Sequence, residues 1–221
     1  MSKTVVITGA NRGIGFAFAN LYKSRGEHVI ALCRQSSPQL NGLGVQVIEG
    51  VDVATEQGLD NMVQALANLS IDILINNAGI LRDETLSDFN TQTITEQFLV
   101  NALAPIQVCQ KLQGNLHAAS KIGLVTSRMG SITDNTSGGR YGYRMSKAAL
   151  NIAAVSLAKD LEDKEIAVGI YHPGYVQTDM VNHGGDISAD EAAQRLVGLI
   201  DNLSMANSGV FYHSNGEILP W

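Results

Sequence analysis

The sequence predicts an α/β fold in which seven parallel strands form a sheet with helices on both faces. Short apolar runs bounded by turn residues alternate along the chain with longer amphipathic stretches. The composition agrees, because 45% hydrophobic and 16% charged residues suit a sheet that is buried on both sides. The 221 residues show no repeat or linker and suffice for one core. We therefore expect a single doubly wound (Rossmann) domain over residues 1–221.

The amino-terminal unit has the order strand, glycine turn, helix, strand. An apolar run at 4–8 leads into a turn with Gly9, Gly13 and Gly15, a helix covers 13–24, and a second strand covers 28–33. Such glycines allow a tight turn, close approach of the backbone to a pyrophosphate, and packing of helix on strand. Free N–H groups at the helix start then face the phosphates. The spacing is GxxxGxG rather than GxGxxG, yet this context predicts a dinucleotide site.

The residues after the second strand indicate which dinucleotide binds. Cys33 and Arg34 stand where many NAD-binding proteins carry an acidic residue that holds the ribose 2′-hydroxyl. An arginine can instead accommodate a 2′-phosphate, and Arg12 in the glycine turn is near enough in sequence to reach the same group. We therefore expect NADP(H) to be preferred over NAD(H). The alternative is that both arginines are solvated loop residues.

The next segment leads to a second ligand-binding turn. Residues 36–44 predict a polar connection without a full helix, 45–50 a third strand, 55–69 a helix and 71–76 a fourth strand. Asp52 either hydrogen-bonds an adenine amino group or caps the following helix. The sequence NNAG at 76–79 ends the fourth strand, at the edge where such sheets bind ligands.

Asn101 is a polar residue in the apolar stretch QFLVNALAPIQV, within a helical region that begins at about residue 93. A buried amide needs hydrogen-bond partners. It either fixes a helix kink beside Pro105 or holds a functional water, and the residues alone favour the kink.

The second half of the chain completes the sheet. KIGLVTS at 121–127 predicts a fifth strand ending at Ser127, and a polar, glycine-rich loop leads to a helix starting at Tyr143. Residues 166–171 predict a sixth strand and 209–213 a seventh. Between them, a capping box formed by Ser188 and Glu191 is expected to open a helix over 189–203.

Tyr143 and Lys147 are the candidate acid/base pair. Residues four apart share one face of a helix, and an ammonium placed there favours the phenolate, lowering a pKa that is ordinarily about 10. Such a tyrosine can exchange a proton with a substrate oxygen. Tyr141 is excluded because the residue one turn after it is Met145. The alternative is an aromatic and a basic residue on a solvated helix face.

Composition excludes several classes of function. A net charge of −6 argues against a nucleic-acid or anionic membrane surface, and no apolar run approaches the ~20 residues of a membrane span. Cys33 and Cys109 have neither CxxC nor metal-ligand spacing, which predicts a reducing, cytoplasmic setting. The five histidines are scattered, so no metal site is expected.

Seven motifs together resemble the short-chain dehydrogenase/reductase family, in its compact single-domain class. They are TGANRGIG at 8–15, Asp52-Val53, NNAG at 76–79, Asn101, Ser127, YRMSK at 143–147 and PGYVQT at 173–178. The resemblance runs nearly end to end. The runs RMGSI, NTSGG and YRMSKAALN are similar to the C-factor-like and Sniffer-like carbonyl reductases.

This resemblance implies an NADP(H)-dependent oxidoreductase that interconverts a carbonyl and a secondary alcohol by hydride transfer. Tyr143 would be the general acid/base, and Lys147 would lower its pKa and hold the nicotinamide ribose. Ser127 would orient the carbonyl and is chosen over Ser131 because it terminates the strand. Asn101 would support a water leading from Lys147 to solvent, which reverses the preference for a kink.

The resemblance also implies a set of cofactor-binding residues, in which the segment from Pro173 to Thr178 fixes the nicotinamide carboxamide. The set is Gly9, Asn11, Arg12, Gly13, Ile14, Gly15, Arg34, Asp52, Val53, Asn77, Ala78, Gly79, Tyr143, Lys147, Pro173, Gly174, Val176 and Thr178. The segment 179–187 is short where the family carries lid helices, which implies an open or partner-completed substrate site.

Two further expectations follow from the family. The helices at about 102–119 and 143–164 would pair across a two-fold axis, as a homodimer or homotetramer. A cofactor-binding signalling protein of C-factor type, with little or no catalysis, is the second functional hypothesis, although Ser127, Tyr143 and Lys147 are all present. A nucleotide-sugar epimerase is disfavoured because no substrate domain of adequate length follows the dinucleotide unit.

Overall fold

The computed structural model describes residues 2–221 and contains one seven-stranded sheet in the order β3-β2-β1-β4-β5-β6-β7. Every adjacent pair of strands is parallel. The strands are β1 Thr4–Thr8, β2 His28–Leu32, β3 Gln46–Ile48, β4 Ile71–Asn76, β5 Leu116–Val125, β6 Ala167–His172 and β7 Phe211–His213. The predicted doubly wound α/β architecture is confirmed.

Helices cover both faces of this sheet. They are α1 Gly13–Ser24, α2 Pro38–Gly42, α3 Glu56–Ala65, α4 Thr91–Phe98, α5 Ala104–Lys111, α6 Tyr141–Asp160 and α7 Ala189–Asp201. One apolar cluster joins the sheet to α3, α5 and α6, and a second cluster joins its other face to α1 and α7. The strand order reverses between β1 and β4, so their carboxyl ends open the crevice where such sheets bind ligands.

Several predicted boundaries were wrong, each for a local reason. Residues 36–44 include a short helix, because Pro38 is its first residue and the Ser37 hydroxyl accepts from Leu40 N at 3.2 Å. The helix predicted over 55–69 ends at Ala65. The capping box at α7 is half formed, because the Ser188 hydroxyl caps Glu191 N while the Glu191 carboxylate pairs with Arg195.

Two further predicted boundaries, at Ser127 and at Tyr143, also differ in the structure. β5 ends at Val125 rather than at Ser127, which instead begins the turn Arg128–Gly130 and accepts a hydrogen bond from Met129 N. The helix expected from Tyr143 begins at Tyr141. Tyr143 therefore lies within the first turn of α6, where the helix still needs partners for its free N–H groups.

Candidate active site

A cleft of ~750 Å³ opens at the carboxyl ends of β1 and β4. Of the predicted cofactor-binding residues, all but Gly15, Gly174 and Val176 line it. The lining residues are Gly9, Asn11, Arg12, Gly13, Ile14, Arg34, Asp52, Val53, Asn77, Ala78, Gly79, Tyr143, Lys147, Pro173 and Thr178. Residues from the whole length of the chain thus meet at one crevice.

The glycine turn is held against the end of β4 with no room for side chains. Gly9 has φ +66° and a Cβ built on it would lie 2.9 Å from the Ala78 Cα. The Thr8 hydroxyl accepts from the backbone N–H groups of Asn77 and Ala78 at 3.0 and 3.1 Å. The turn from 9 to 13 and the NNAG turn therefore form one rigid wall of the cleft.

Gly15 lies behind this wall rather than in the cleft. A Cβ there would meet the Gly9 carbonyl oxygen at 2.2 Å and the Asn77 Nδ2 at 2.6 Å. That amide nitrogen already donates to the carbonyls of Thr8 and Gly9. Gly15 thus serves the close packing of helix on strand, which is one of the three roles that the sequence predicted for these glycines.

Replacing Gly15 by alanine is expected to lower the free energy of unfolding by about 1–3 kcal/mol and to weaken dinucleotide binding. The methyl group must displace Gly9 or Asn77, both of which shape the cleft. Gly198→Ala is a matched control, because its Cβ meets nothing within 4 Å in α7, and we expect it to be neutral or slightly stabilising. Urea unfolding and dinucleotide titration measure both effects, and equal behaviour of the two variants would contradict this packing role.

The two arginines predicted to bind a 2′-phosphate, Arg12 and Arg34, make different contacts in the structure. Arg34 is exposed at the rim of the cleft. Arg12 is also exposed, but its Nη1 lies 3.2 Å from Oδ2 of Asp179, which stands across the cleft after Thr178. Asp179 in turn lies 3.2 Å from Nε2 of His183. Arg12 must therefore leave an exposed ion pair, worth little in water, before it can contact a phosphate.

Of the two predicted roles of Asp52, capping the following helix falls to Thr55, while a contact with an adenine amino group stays a prediction. The Asp52 Oδ1 accepts from Ala54 N at 3.1 Å, while the hydroxyl of Thr55 caps α3 by accepting from Gly58 N. Asp52 and Val53 both line the cleft. Thr55 directly precedes α3, and threonine, like aspartate, is among the favoured N-cap residue types.

Tyr143 is 9% exposed and faces the cleft. Burial raises its pKa, while a side-chain hydrogen bond with Ser127 and the guanidinium of Arg140 oppose that rise. The expectation that Lys147 lowers this pKa stays a prediction. The ammonium of Lys147 lies 5.8 Å from the tyrosine ring centroid and donates instead to the Val125 carbonyl at 3.0 Å.

Two serines had been considered as the partner of Tyr143. Each serine hydroxyl accepts one backbone N–H at 3.1 Å, from Met129 for Ser127 and from Asp134 for Ser131, but only Ser127 contributes a side-chain interaction to the pKa of Tyr143. The geometry therefore favours Ser127, although it follows the strand by two residues instead of ending it.

Lys147 is 5% exposed and reaches the floor of the cleft beside Gly79. Its burial lowers the pKa of the ammonium to about 8. A group with that pKa is partly deprotonated near neutral pH, so its charge responds to small changes in its surroundings. The solvated helix face that was the alternative is excluded, since Tyr143 and Lys147 are both buried.

Asn101 lies in a π-helical segment, Leu99–Leu103, between α4 and α5. Its side chain accepts from Ile80 N and donates to Ile80 O, both at 2.8 Å, and it donates to the Ser146 hydroxyl at 3.1 Å. This π-helical segment is centred on Asn101. This amide ties the NNAG turn to the helix that carries Tyr143 and Lys147.

The chain after β6 closes the far side of the cleft. Pro173 and Thr178 line the cleft, and a Cβ on Gly13 would lie 3.3 Å from the Thr178 methyl carbon. Gly174 and Val176 lie behind them, where Val176 forms a parallel bridge with Ile187. The short segment after Thr178 folds into a single turn, Asp179–Val181, from which Asp179 and Met180 also face the cleft.

Sequence reasoning missed several residues of this region, among them Asp179, Met180 and Glu84. Asp179 and Met180 directly follow the PGYVQT motif, so extending the motif by two positions would have included them. Glu84 is 2% exposed beside the first turn of α6, and nothing in its local sequence distinguishes it from neighbouring exposed acids.

No group of three or more His, Cys, Asp or Glu side chains that could hold a metal ion occurs within residues 2–221. None of the helices described in this range combines the length and apolar character needed to cross a bilayer.

The family model described as short chain dehydrogenase matches residues 3–187, most of the chain. The chain belongs to the short-chain dehydrogenase family. It is 35% identical over 224 residues to a 1-hydroxy-2-glutathionyl-2-methyl-3-butene dehydrogenase of a Rhodococcus species, covering 99% of each chain. It is 39% identical over 154 residues to C-signal of Myxococcus xanthus, covering 68% of this chain and 93% of C-signal.

Solved structures of short-chain dehydrogenases and carbonyl reductases share the whole fold. The carbonyl reductase Sniffer of D. melanogaster superimposes with a TM-score of 0.91 at 26% identity, covering 100% of both chains. An NADPH-bound carbonyl reductase from chicken fatty liver superimposes with a TM-score of 0.87 at 27% identity, covering 100% of this chain and 99% of the other. The predicted resemblance to the C-factor-like and Sniffer-like branch is confirmed.

Proposed function

We propose that this protein is an NADP(H)-dependent oxidoreductase that interconverts a carbonyl and a secondary alcohol, with Tyr143 as general acid/base. The observation that carries the proposal is the buried tyrosine itself, which meets Ser127 and stands one turn from a buried lysine at the edge of a dinucleotide-sized cleft. A phenol buried beside a second hydroxyl is suited to hold and release one proton at a substrate oxygen.

The cleft fits a dinucleotide on its own geometry. Gly9 and Gly13, with φ of +66° and +54°, leave backbone where a side chain would block a pyrophosphate, and α1 begins directly behind them. Arg12 and Arg34 stand at the rim as ligands for a 2′-phosphate. The bound NADPH named for the chicken liver reductase supports the same preference, with NAD(H) as the second cofactor to test.

When bound, the nicotinamide cofactor supplies the hydride. Tyr143 would donate its proton to the carbonyl oxygen during reduction, and Ser127 would hold that oxygen in reach. Lys147, whose ammonium donates to the Val125 carbonyl, would bind the ribose and restore the proton of Tyr143. Asn101 would keep the NNAG turn and α6 together, and we retain the proposal that it supports a water beyond Lys147.

The test is a panel of ketones and aldehydes assayed for NADPH oxidation, with the alcohols assayed in the reverse direction. We expect turnover with NADPH that exceeds turnover with NADH. The panel should include a glutathione-substituted carbonyl, since the Rhodococcus relative is named for a glutathionyl alcohol. Tight dinucleotide binding without turnover on any compound would reject the proposal.

C-signal supports a second candidate, a signalling protein that binds the cofactor and has little or no catalysis. The same panel discriminates, because that candidate predicts binding alone. The presence of Tyr143 and Lys147 in the cleft lining, with Ser127 beside Tyr143, favours the enzyme.

We also propose a reducing, cytoplasmic setting, in line with two free and buried cysteines, Cys33 and Cys109. A homodimer or homotetramer stays a prediction. It is favoured by exposed apolar side chains on the two helical regions that the family pairs, among them Leu103, Met145 and Ile152, and sedimentation would measure it.

A further inference from the structure

Glu84 is a buried carboxylate held by three uncharged donors. Its Oε1 accepts from the Thr93 hydroxyl at 2.6 Å and from Gln97 Nε2 at 2.7 Å, and its Oε2 accepts from Gly142 N at 3.2 Å. The side chain is 2% exposed, and the nearby guanidinium of Arg140 pairs with Asp83 instead. A charge buried in this way is costly unless its hydrogen bonds and local dipoles are well placed.

The positive end of α6 provides the compensating dipole. Arg140 at the N-cap adopts a left-handed conformation with φ 50° and ψ 46°, and its own side chain does not cap the helix. The helix therefore depends on groups from elsewhere for its free N–H groups, and Glu84 supplies an anionic acceptor to one of them. Arg140 N also donates to the Glu84 carbonyl at 2.8 Å, so backbone and side chain hold the same turn.

Gln97 and Gly142, which both donate to Glu84, are themselves held in place by their neighbours. Gln97 is fully buried, and its Oε1 accepts from Arg82 N at 2.8 Å. A Cβ on Gly142 would meet Gln97 Nε2 at 2.4 Å and the Ile94 Cα at 2.9 Å. The first turn of α6 therefore packs flush on α4, one residue before Tyr143.

We propose that Glu84 is a positioning residue for the reaction, which caps α6 from outside the helix and sets the place of Tyr143 against Ser127. The proposal rests on the proposed function, since it assigns Glu84 to the same acid/base pair. Glu84 does not itself line the cleft.

Glu84→Gln tests this with little change in volume. The carboxylate accepts three hydrogen bonds, whereas a glutamine must turn its NH₂ group towards at least one of the same donors. We expect kcat for carbonyl reduction to fall about tenfold or more, because small displacements of catalytic groups are costly. The Kd for NADPH should change little, since the glycine turn and the rim arginines are untouched. Glu96→Gln, on a partly exposed side chain of α4, is the matched control.

The pH dependence of the reduction rate distinguishes a positioning role of Glu84 from an effect on stability alone. Reduction needs the protonated phenol, so the rate falls as pH rises through the Tyr143 pKa. The interaction with Ser127 lowers that pKa, and Ser127 lies outside α6, so displacing α6 from Ser127 moves the alkaline limb to higher pH in Glu84→Gln. Thr93→Val removes a single donor and should shift the limb in the same direction by less. If Glu84→Gln does not fold, Thr93→Val replaces it in this measurement.

The pKa of Tyr143 can also be measured without turnover, from the absorbance of its phenolate as pH rises. The absorbance of the Tyr143→Phe derivative is subtracted in the wild type and in each variant, so that only Tyr143 contributes. If the wild type proves inactive, the proposed function fails, while a shift of this titration to higher pH would still support the positioning role. The positioning role of Glu84 would be overturned if Glu84→Gln and Thr93→Val both kept the kcat and the Tyr143 titration of the wild type, whatever their Tm.

Discussion

Tyr143→Phe is expected to lower kcat for carbonyl reduction by about a thousandfold, within the range for loss of a positioned acid. The substitution removes the one hydroxyl that meets Ser127 at the cleft and leaves the ring and its packing in place. The Kd for NADPH should stay nearly unchanged, because the phosphate-binding wall from Gly9 to Gly13 lies elsewhere in the cleft. Steady-state kinetics with isothermal titration of the cofactor separates the two quantities.

Tyr141→Phe is the matched control for this prediction. Tyr141 begins the same helix, and its ring packs edge-on against Phe89 with centroids 5.8 Å apart, away from the cleft lining. We expect its kcat to stay close to that of the wild type. A Tyr143→Phe enzyme with near-normal kcat, or equal losses in both variants, would contradict the assignment of Tyr143.

The double variant Arg12→Ala and Arg34→Ala is expected to lower the preference for NADPH over NADH by about a hundredfold, measured as the ratio of kcat/KM values. Charge-assisted hydrogen bonds are worth about 1.5–3 kcal/mol each, and both arginines stand exposed at the rim of the cleft. Activity with NADH should change little, because NADH lacks the 2′-phosphate.

The single variants should not contribute equally. Arg12 gives up its ion pair with Asp179 when it binds a phosphate, so its net gain is smaller than that of Arg34. Arg25→Ala, which breaks an exposed pair with Asp201 outside the cleft, is the control for lost surface charge. If the double variant kept the preference of the wild type, these arginines would be solvated loop residues.

The sequence predicted the fold and most of the cleft because both depend on local patterns. β1, α1 and β4 have the predicted bounds, since each is fixed by its own apolar periodicity and by the glycine or asparagine that ends it. The motifs that follow the strands were enough to predict that Gly9, Asn77 and Tyr143 lie at one cleft, because parallel strands place their carboxyl ends at one edge of the sheet.

What the sequence missed depends on contacts between distant residues. Burial raises the pKa of Tyr143, and the i, i+4 spacing of Tyr143 and Lys147 does not reveal that burial. Glu84 finds its donors 9, 13 and 58 residues away, so its role is invisible in any local window. Asn101 was ambiguous until Ile80 and Ser146 proved to be its partners.

Transfer of deuterium from 4-deuterated NADPH to a ketone tests the central claim most directly. We predict that the product alcohol carries the label on its carbinol carbon, that only one of the two C4 epimers of the cofactor delivers it, and that Tyr143→Phe suppresses the transfer while still binding NADPH. Bound cofactor with no label in the product, or equal transfer by the wild type and Tyr143→Phe, would contradict the account.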